Sequence, residues 1–260
     1  MDNRPIGILD SGLGGLTVVK AMNVLLPNEN IVYLGDTARM PYGNRDPETL
    51  LKFAEDDIAF LKRFDVKMIV AACGTISSVA LHLIEEDLPL IGVVNPAAHL
   101  AARIGKRIAV LGTQTTIRSH SYKTAIEKLL PSSVVYEQPC PPFVPIVEEG
   151  HLDDETAYEI VNEYLLPIKK ANADTVILGC THYSLLSPVI SEIMGSRVNL
   201  IDTGLTTAMT AKTLLEESNT QNDTLGKTRF FVSGNPKSFA EIGSKFIGYT
   251  ITDVGLWKDA

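Results

Sequence analysis

The chain has 260 residues, 45% of them apolar and 21% charged, with a formal charge of −8. That composition is ordinary for a globular protein, and the length suits one large domain or two of about 130 residues. The acidic balance argues against nucleic acid as the main partner, no apolar run approaches the roughly 18 residues of a membrane span, and the N-terminus lacks the order of a signal peptide.

Short apolar runs alternate with longer amphipathic ones. Strands are expected over 5–10, 30–36, 66–72, 89–94, 106–112, 133–138, 174–179, 197–202, 229–234 and 248–254. Helices fill most of the gaps. The clearest spans 47–64, where Pro47 and Glu48 open an apolar pattern of helical period and basic residues close it. A second spans 153–171, and Pro167 is expected to kink or end it. Near-continuous apolar strands separated by helices imply an α/β fold built on mainly parallel sheets covered on both faces.

The chain also echoes itself. "RPIGILDSGLGGLTVVKA" resembles "KRIAVLGTQTTIRSHSYKTA", "MIVAACGTISS" resembles "TVILGCTHYSLLS", and "LIGVVNPA" resembles "NLIDTGLT". Three strand–turn–helix units recurring in one order suggest two similar halves. The expected division is 1–95 plus 205–260 as a first α/β domain and 96–204 as a second. The C-terminal part would return to extend the first sheet.

In chain order, the first candidate site is "ILDSGLGG". Asp10 ends a strand, Ser11 follows, and Gly12, Gly14 and Gly15 permit a tight turn and close backbone approach. The glycine spacing is neither a dinucleotide fingerprint nor a Walker loop, which argues against a nucleotide-dependent oxidoreductase. Pro41, Tyr42 and Gly43 lie in a polar, turn-rich segment suited to binding. Cys73 closes the apolar run "MIVAA", ahead of Gly74 and Thr75. Thr113, Thr115 and Thr116 occupy the matching place in the second half, as helix caps or ligand contacts. Cys140 sits in "QPCPPFVP", where the prolines suggest a stiff extended loop without catalysis, and Glu148 follows. Cys180 closes "TVILG", followed by Thr181 and His182.

Three cysteines without a C-x-x-C pair point to free thiols in a reducing, cytoplasmic compartment. The internal repeat matches Cys73 with Cys180, 107 residues apart. If the two halves face each other, both thiols approach one ligand from opposite sides. Two opposed weak acids suit stereoinversion at carbon: one takes a proton, the other returns one. Asp10 and His182 are candidate auxiliaries, the first to orient a thiol or a ligand ammonium, the second to tune or shuttle the Cys180 proton. No third or fourth ligand accompanies Cys180 and His182 at metal-binding spacing, so no metal is expected.

With these residues in view, "GILDSGLGGLTV", "GDTARMPYG", "AACGT", "FVPIVEEG" and "LGCTHY" resemble the glutamate racemases of the aspartate/glutamate racemase superfamily, over nearly the whole chain. The resemblance implies two pseudosymmetric domains with the active site in the cleft between them. It also implies cofactor-independent interconversion of L- and D-glutamate for peptidoglycan synthesis, and often a homodimer. Cys73 would then deprotonate D-glutamate and Cys180 L-glutamate, assisted by Asp10, His182 and Glu148. Asp10, Ser11, Tyr42, Gly43, Gly74, Thr75, Thr181 and His182 would line the substrate site. The family usually carries Asn after the first cysteine; Gly74 keeps the backbone N–H and lacks the amide, and restoring Asn is expected to preserve or improve glutamate affinity. Ser184 stands where the family commonly has proline, and either residue suits a helix start. Rival readings are a racemase of aspartate or another acidic amino acid, for which cationic groups in the pocket would speak, and a non-catalytic ligand-binding homologue.

Overall fold

The computed structural model describes residues 2–258. Ten strands run in chain order: β1 (Ile6–Asp10), β2 (Ile31–Gly35), β3 (Met68–Ala71), β4 (Leu90–Gly92), β5 (Arg107–Gly112), β6 (Val134–Pro139), β7 (Thr175–Leu178), β8 (Asn199–Asp202), β9 (Thr228–Val232) and β10 (Val254–Leu256). They form two sheets, ordered β10-β9-β2-β1-β3-β4 and β6-β5-β7-β8. Every pairing is parallel. A parallel ladder needs its crossovers on the sheet faces, so β1, β2, β3 and β7 are buried along their whole length.

The order β2-β1-β3-β4 recurs as β6-β5-β7-β8. This is the internal echo of the sequence in three dimensions: β1 corresponds to β5, β3 to β7 and β4 to β8. β9 and β10 then extend the first sheet beyond β2. The helix Thr203–Ser218 follows β8 and packs against both Leu16–Leu25 and Val94–Ile104.

Local chemistry sets the element ends. Asp46 caps the helix Pro47–Lys62 by accepting from the Thr49 N–H at 2.9 Å, and Asp154 caps Glu155–Lys170 through the Ala157 N–H at 3.0 Å. Pro167 does not end that second helix, which continues to Lys170. The proline removes one hydrogen bond in the final turn, while buried Val161, Leu165 and Ile168 hold the face in place. The segment after Cys140 is not an extended loop: Phe143–Glu149 is helical. Pro142 at the cap and Pro145 in the first turn occupy positions whose N–H has no intrahelical partner, so neither breaks the helix. Gly150, at φ 91°, closes it in the left-handed region. The last strand lies later than 248–254, at Val254–Leu256. Gly248, at φ 89°, is spent ending the helix Pro236–Ile247, and parallel register puts Val254 opposite Phe230.

Candidate active site

Open parallel sheets expose functional groups at the carboxyl ends of their strands, where the order reverses. In both sheets here that point flanks the central strand, β1 in one and β5 in the other. The carboxyl ends of β1 and β3 bring up Asp10 and Cys73; those of β5 and β7 bring up Thr113 and Cys180. Cys73 opens the helix Gly74–Val79, and Cys180 opens a 3₁₀ turn, Thr181–Leu186. The two thiols occupy equivalent places in the two sheets and line one cavity of about 380 Å³.

Of the residues singled out in the sequence, Ser11, Pro41, Tyr42, Gly43, Cys73, Gly74, Thr75, Thr113, Glu148, Cys180, Thr181 and His182 line this cavity. Asp10, Thr115 and Thr116 do not. Asp10 is buried behind the wall, with Oδ2 accepting from the Gly12 N–H at 2.9 Å and Oδ1 unpartnered. Thr115 joins the two halves instead, its hydroxyl donating to the Gly43 carbonyl at 2.7 Å. Thr116 bonds the Thr113 hydroxyl, which caps the short helix Gln114–Arg118. Met40, Asn44, Gln114 and Val144 also line the cavity and were not singled out. Asn44 and Gln114 are polar residues inside segments already read as binding loops, which is the signal that would have found them. Among the described residues no Lys or Arg side chain lines the cavity, and no group of three or more His, Cys, Asp and Glu is placed to hold a metal ion.

The two walls differ. Cys73 donates to the Ser11 hydroxyl at 3.7 Å. Burial, reinforced by the nearby Asp10 charge, pushes its thiol up to about 12. Burial likewise raises the Asp10 carboxyl. On the opposite wall His182 faces Cys180 Sγ through Nδ1 at 3.9 Å and Glu148 Oε1 through Nε2 at 3.1 Å. Burial opposes charge on this imidazole, but hydrogen bonds to Cys180 and Glu148 outweigh it and raise His182 to about 10. One wall thus holds a protonated thiol at Cys73, and the other sets Cys180 beside an imidazolium.

The Pro41–Gly43 segment is anchored from behind. Arg39 reaches Asp57 at 2.9 Å and Asp56 at 2.8 Å and also pairs with Asp36. The Tyr42 hydroxyl donates to Asp36. Glycines let the halves meet. A Cβ at Gly14 would lie 2.3 Å from Thr181 Oγ1, and one at Gly74 would lie 2.2 Å from the Gly179 carbonyl oxygen. An asparagine at 74 therefore requires the Gly74 and Gly179 peptides to move apart.

A family model described as Asp/Glu/Hydantoin racemase matches residues 6–211. A glutamate racemase of Geobacter metallireducens is 41% identical over 257 residues, covering 96% of this chain and 95% of its own. A solved glutamate racemase isoform of Bacillus anthracis superposes with a TM-score of 0.96 at 37% identity, covering 99% of this chain and 98% of its own. The Francisella tularensis glutamate racemase, solved in complex with D-glutamate, superposes with a TM-score of 0.93 at 36% identity, covering 99% and 98%.

Proposed function

The chain belongs to the Asp/Glu/Hydantoin racemase family, and on that premise we propose that it interconverts L- and D-glutamate by proton transfer between Cys73 and Cys180. The observation that carries this reading is the pair of thiols at equivalent strand ends of two sheets, both opening into one cavity. Glutamate is favoured over a rival acid by the absence of Lys and Arg from the described cavity wall, where Ser11, Thr75, Thr113 and Thr181 offer hydroxyl donors to its carboxylates.

An amino-acid α-proton is a poor acid, and a thiolate is too weak a base to remove it in water. No electron sink takes part in the proposed scheme, so the site itself lowers the barrier. Fixed hydrogen-bond donors around the developing carbanion and an enclosed, water-poor cavity are the available means. With L-glutamate bound, Cys180 takes the α-proton while the Cys73 thiol delivers one to the opposite face. His182 holds or passes the proton of Cys180, and Glu148 orients and charges that imidazole. Asp10 acts on Cys73 from behind the wall. With D-glutamate the roles reverse.

The proposal extends to organisation and setting. Residues 1–95 with 205–260 form one domain and 96–204 the other, and the enzyme acts in the cytoplasm as a homodimer, supplying D-glutamate for peptidoglycan synthesis. No described helix is long and apolar enough to cross a membrane. The test is incubation with L-glutamate, D-glutamate and L-aspartate separately in D₂O, without added cofactor, following α-proton loss by NMR and inversion by optical rotation. Exchange and inversion of glutamate alone is the expected result. Turnover of aspartate would move the substrate, and no exchange by folded protein with free thiols would end the racemase reading.

A further inference from the structure

The first sheet does not stop where the second does. Beyond β2 it continues into β9 and β10, whereas the second sheet ends at β6 among the described residues. Parallel register sets Gly35 of β2 opposite Val232 of β9, so the turns after these two strands run side by side. Three hydrogen bonds fasten them together. The Ser233 hydroxyl donates to Asp36 Oδ1 at 2.6 Å and accepts from the Ala38 N–H at 2.9 Å, and the Gly234 N–H donates to Thr37 Oγ1 at 3.0 Å. Asp36 is fully buried, and its other oxygen, Oδ2, accepts from the Tyr42 hydroxyl and from Arg39. Just beyond β10, the Trp257 ring centre lies 5.2 Å from the Arg39 guanidinium carbon. Tyr42 lines the cavity between Pro41 and Gly43, but Asp36 and Ser233 do not. The Tyr42 hydroxyl is therefore engaged in anchoring its own loop, not the ligand.

We propose that Ser233 is a positioning residue for the substrate loop: acting through Asp36 and the Tyr42 hydroxyl, it fixes where Pro41–Gly43 meets the ligand. This rests on the glutamate reading above. The terminal torsion of an aspartate is soft, so the plane of its carboxylate is set by what holds its two oxygens. Tyr42 and Arg39 hold Oδ2, and Ser233 holds Oδ1. Without the Ser233 hydroxyl the buried carboxylate loses its grip on one side and can turn, carrying the Tyr42 hydroxyl and its loop with it. The thiols stand on other elements, at the ends of β3 and β7. Loosening the loop weakens the hold on substrate and transition state alike, which raises KM and leaves kcat in place. The extension of the first sheet thus takes part in substrate binding from behind the cavity wall.

The test compares glutamate racemisation by wild type, Ser233→Ala and Ser233→Thr. Polarimetry gives kcat and KM, and thermal unfolding monitors the fold. Ser233→Ala is expected to raise KM about fivefold, the worth of one ordinary hydrogen bond, with kcat unchanged. Ser233→Thr keeps the hydroxyl, and its extra methyl faces a surface groove, so it is expected to keep the wild-type KM. A merely structural role would lower Tm or the active fraction, and with it the apparent kcat, without moving KM. That outcome, no change in either constant, or a KM equally raised in Ser233→Thr overturns the positioning role while leaving the racemase reading intact. Absence of glutamate racemisation in wild type instead overturns the reading on which it rests. If Ser233→Ala does not fold, Tyr42→Phe cuts the same relay at its far end. A raised KM at unchanged kcat then supports the role, and an unchanged KM overturns it.

Discussion

Alkylation of Cys73 should rise about tenfold per pH unit with no plateau before pH 10. Burial, then the Asp10 charge, moves this thiol from an ordinary 9.0 to about 12, against the weaker pull of the Ile76 N–H and the Ser11 hydroxyl. Three pH units correspond to about 4 kcal/mol of disfavoured thiolate. At pH 8 only about one molecule in 10⁴ carries the thiolate, against about one in ten for an unshifted thiol, so reaction is about a thousandfold slower from ionisation alone. Restricted access lowers the rate at every pH alike and leaves the slope untouched. Iodoacetamide labelling of native protein between pH 6.5 and 10, read for each cysteine by mass spectrometry, gives that slope directly. A plateau for Cys73 near pH 8–9 would show that burial and Asp10 do not hold the proton as argued, and the unequal walls of the site would have to be abandoned.

Cys73→Ser and Cys180→Ser should each reduce inversion by about 10²–10⁴-fold in a polarimetric assay, because one proton relay cannot invert a centre alone. In Glu148→Gln, loss of one hydrogen-bond partner lowers His182 from about 10. Charge on His182 is present in full below its ordinary 6.5 and lost as pH rises through the folded value, so the alkaline limb of the rate profile should move toward neutrality, which kcat/KM measured from pH 6 to 11 would detect. Arg39→Met should destabilise the protein by about 3–5 kcal/mol, seen as a Tm lowered by about 10 °C, because buried Asp36 and Asp57 lose their cation. Burial and the Asp36 charge push the Asp57 carboxyl well up even with Arg39 beside it.

Much of the architecture was legible because parallel strands buried on both faces read as continuous apolar runs, and because the repeat set Cys73 and Cys180 at equivalent places. What escaped the sequence depends on contacts between distant segments or on position within a turn. The proline run after Cys140 looked extended because proline usually breaks helices, but here the prolines fall at a cap and in a first turn. "GYTITDV" alternates like a strand, yet its glycine ends a helix and its partner strand sets the pairing later. Thr115 looked like a ligand contact and instead bridges to Gly43, 72 residues away. Gly74 looked like a missing amide. Only the fold brings Gly179, 105 residues on, against its Cα.

The repeat and the chemistry pull in different directions, and the site accommodates both. Mirror-image reactants have equal free energy in water, so the equilibrium constant is one and kcat/KM must be the same for both enantiomers at any pH. Nothing in that constraint requires the two walls to be alike, and they are not: Cys73 has Ser11 and a carboxylate behind it, while Cys180 has an imidazolium held by Glu148. The two free-enzyme forms, each with the opposite thiol deprotonated, are therefore unequally populated. An enantiomer that binds the scarcer form meets an apparent affinity reduced by that fraction. The inequality of the walls has to divide between kcat and KM, raising or lowering both together for one enantiomer. Equivalent strands thus supply the opposed thiols, and the unlike side chains around them decide which enantiomer the resting enzyme is poised to accept.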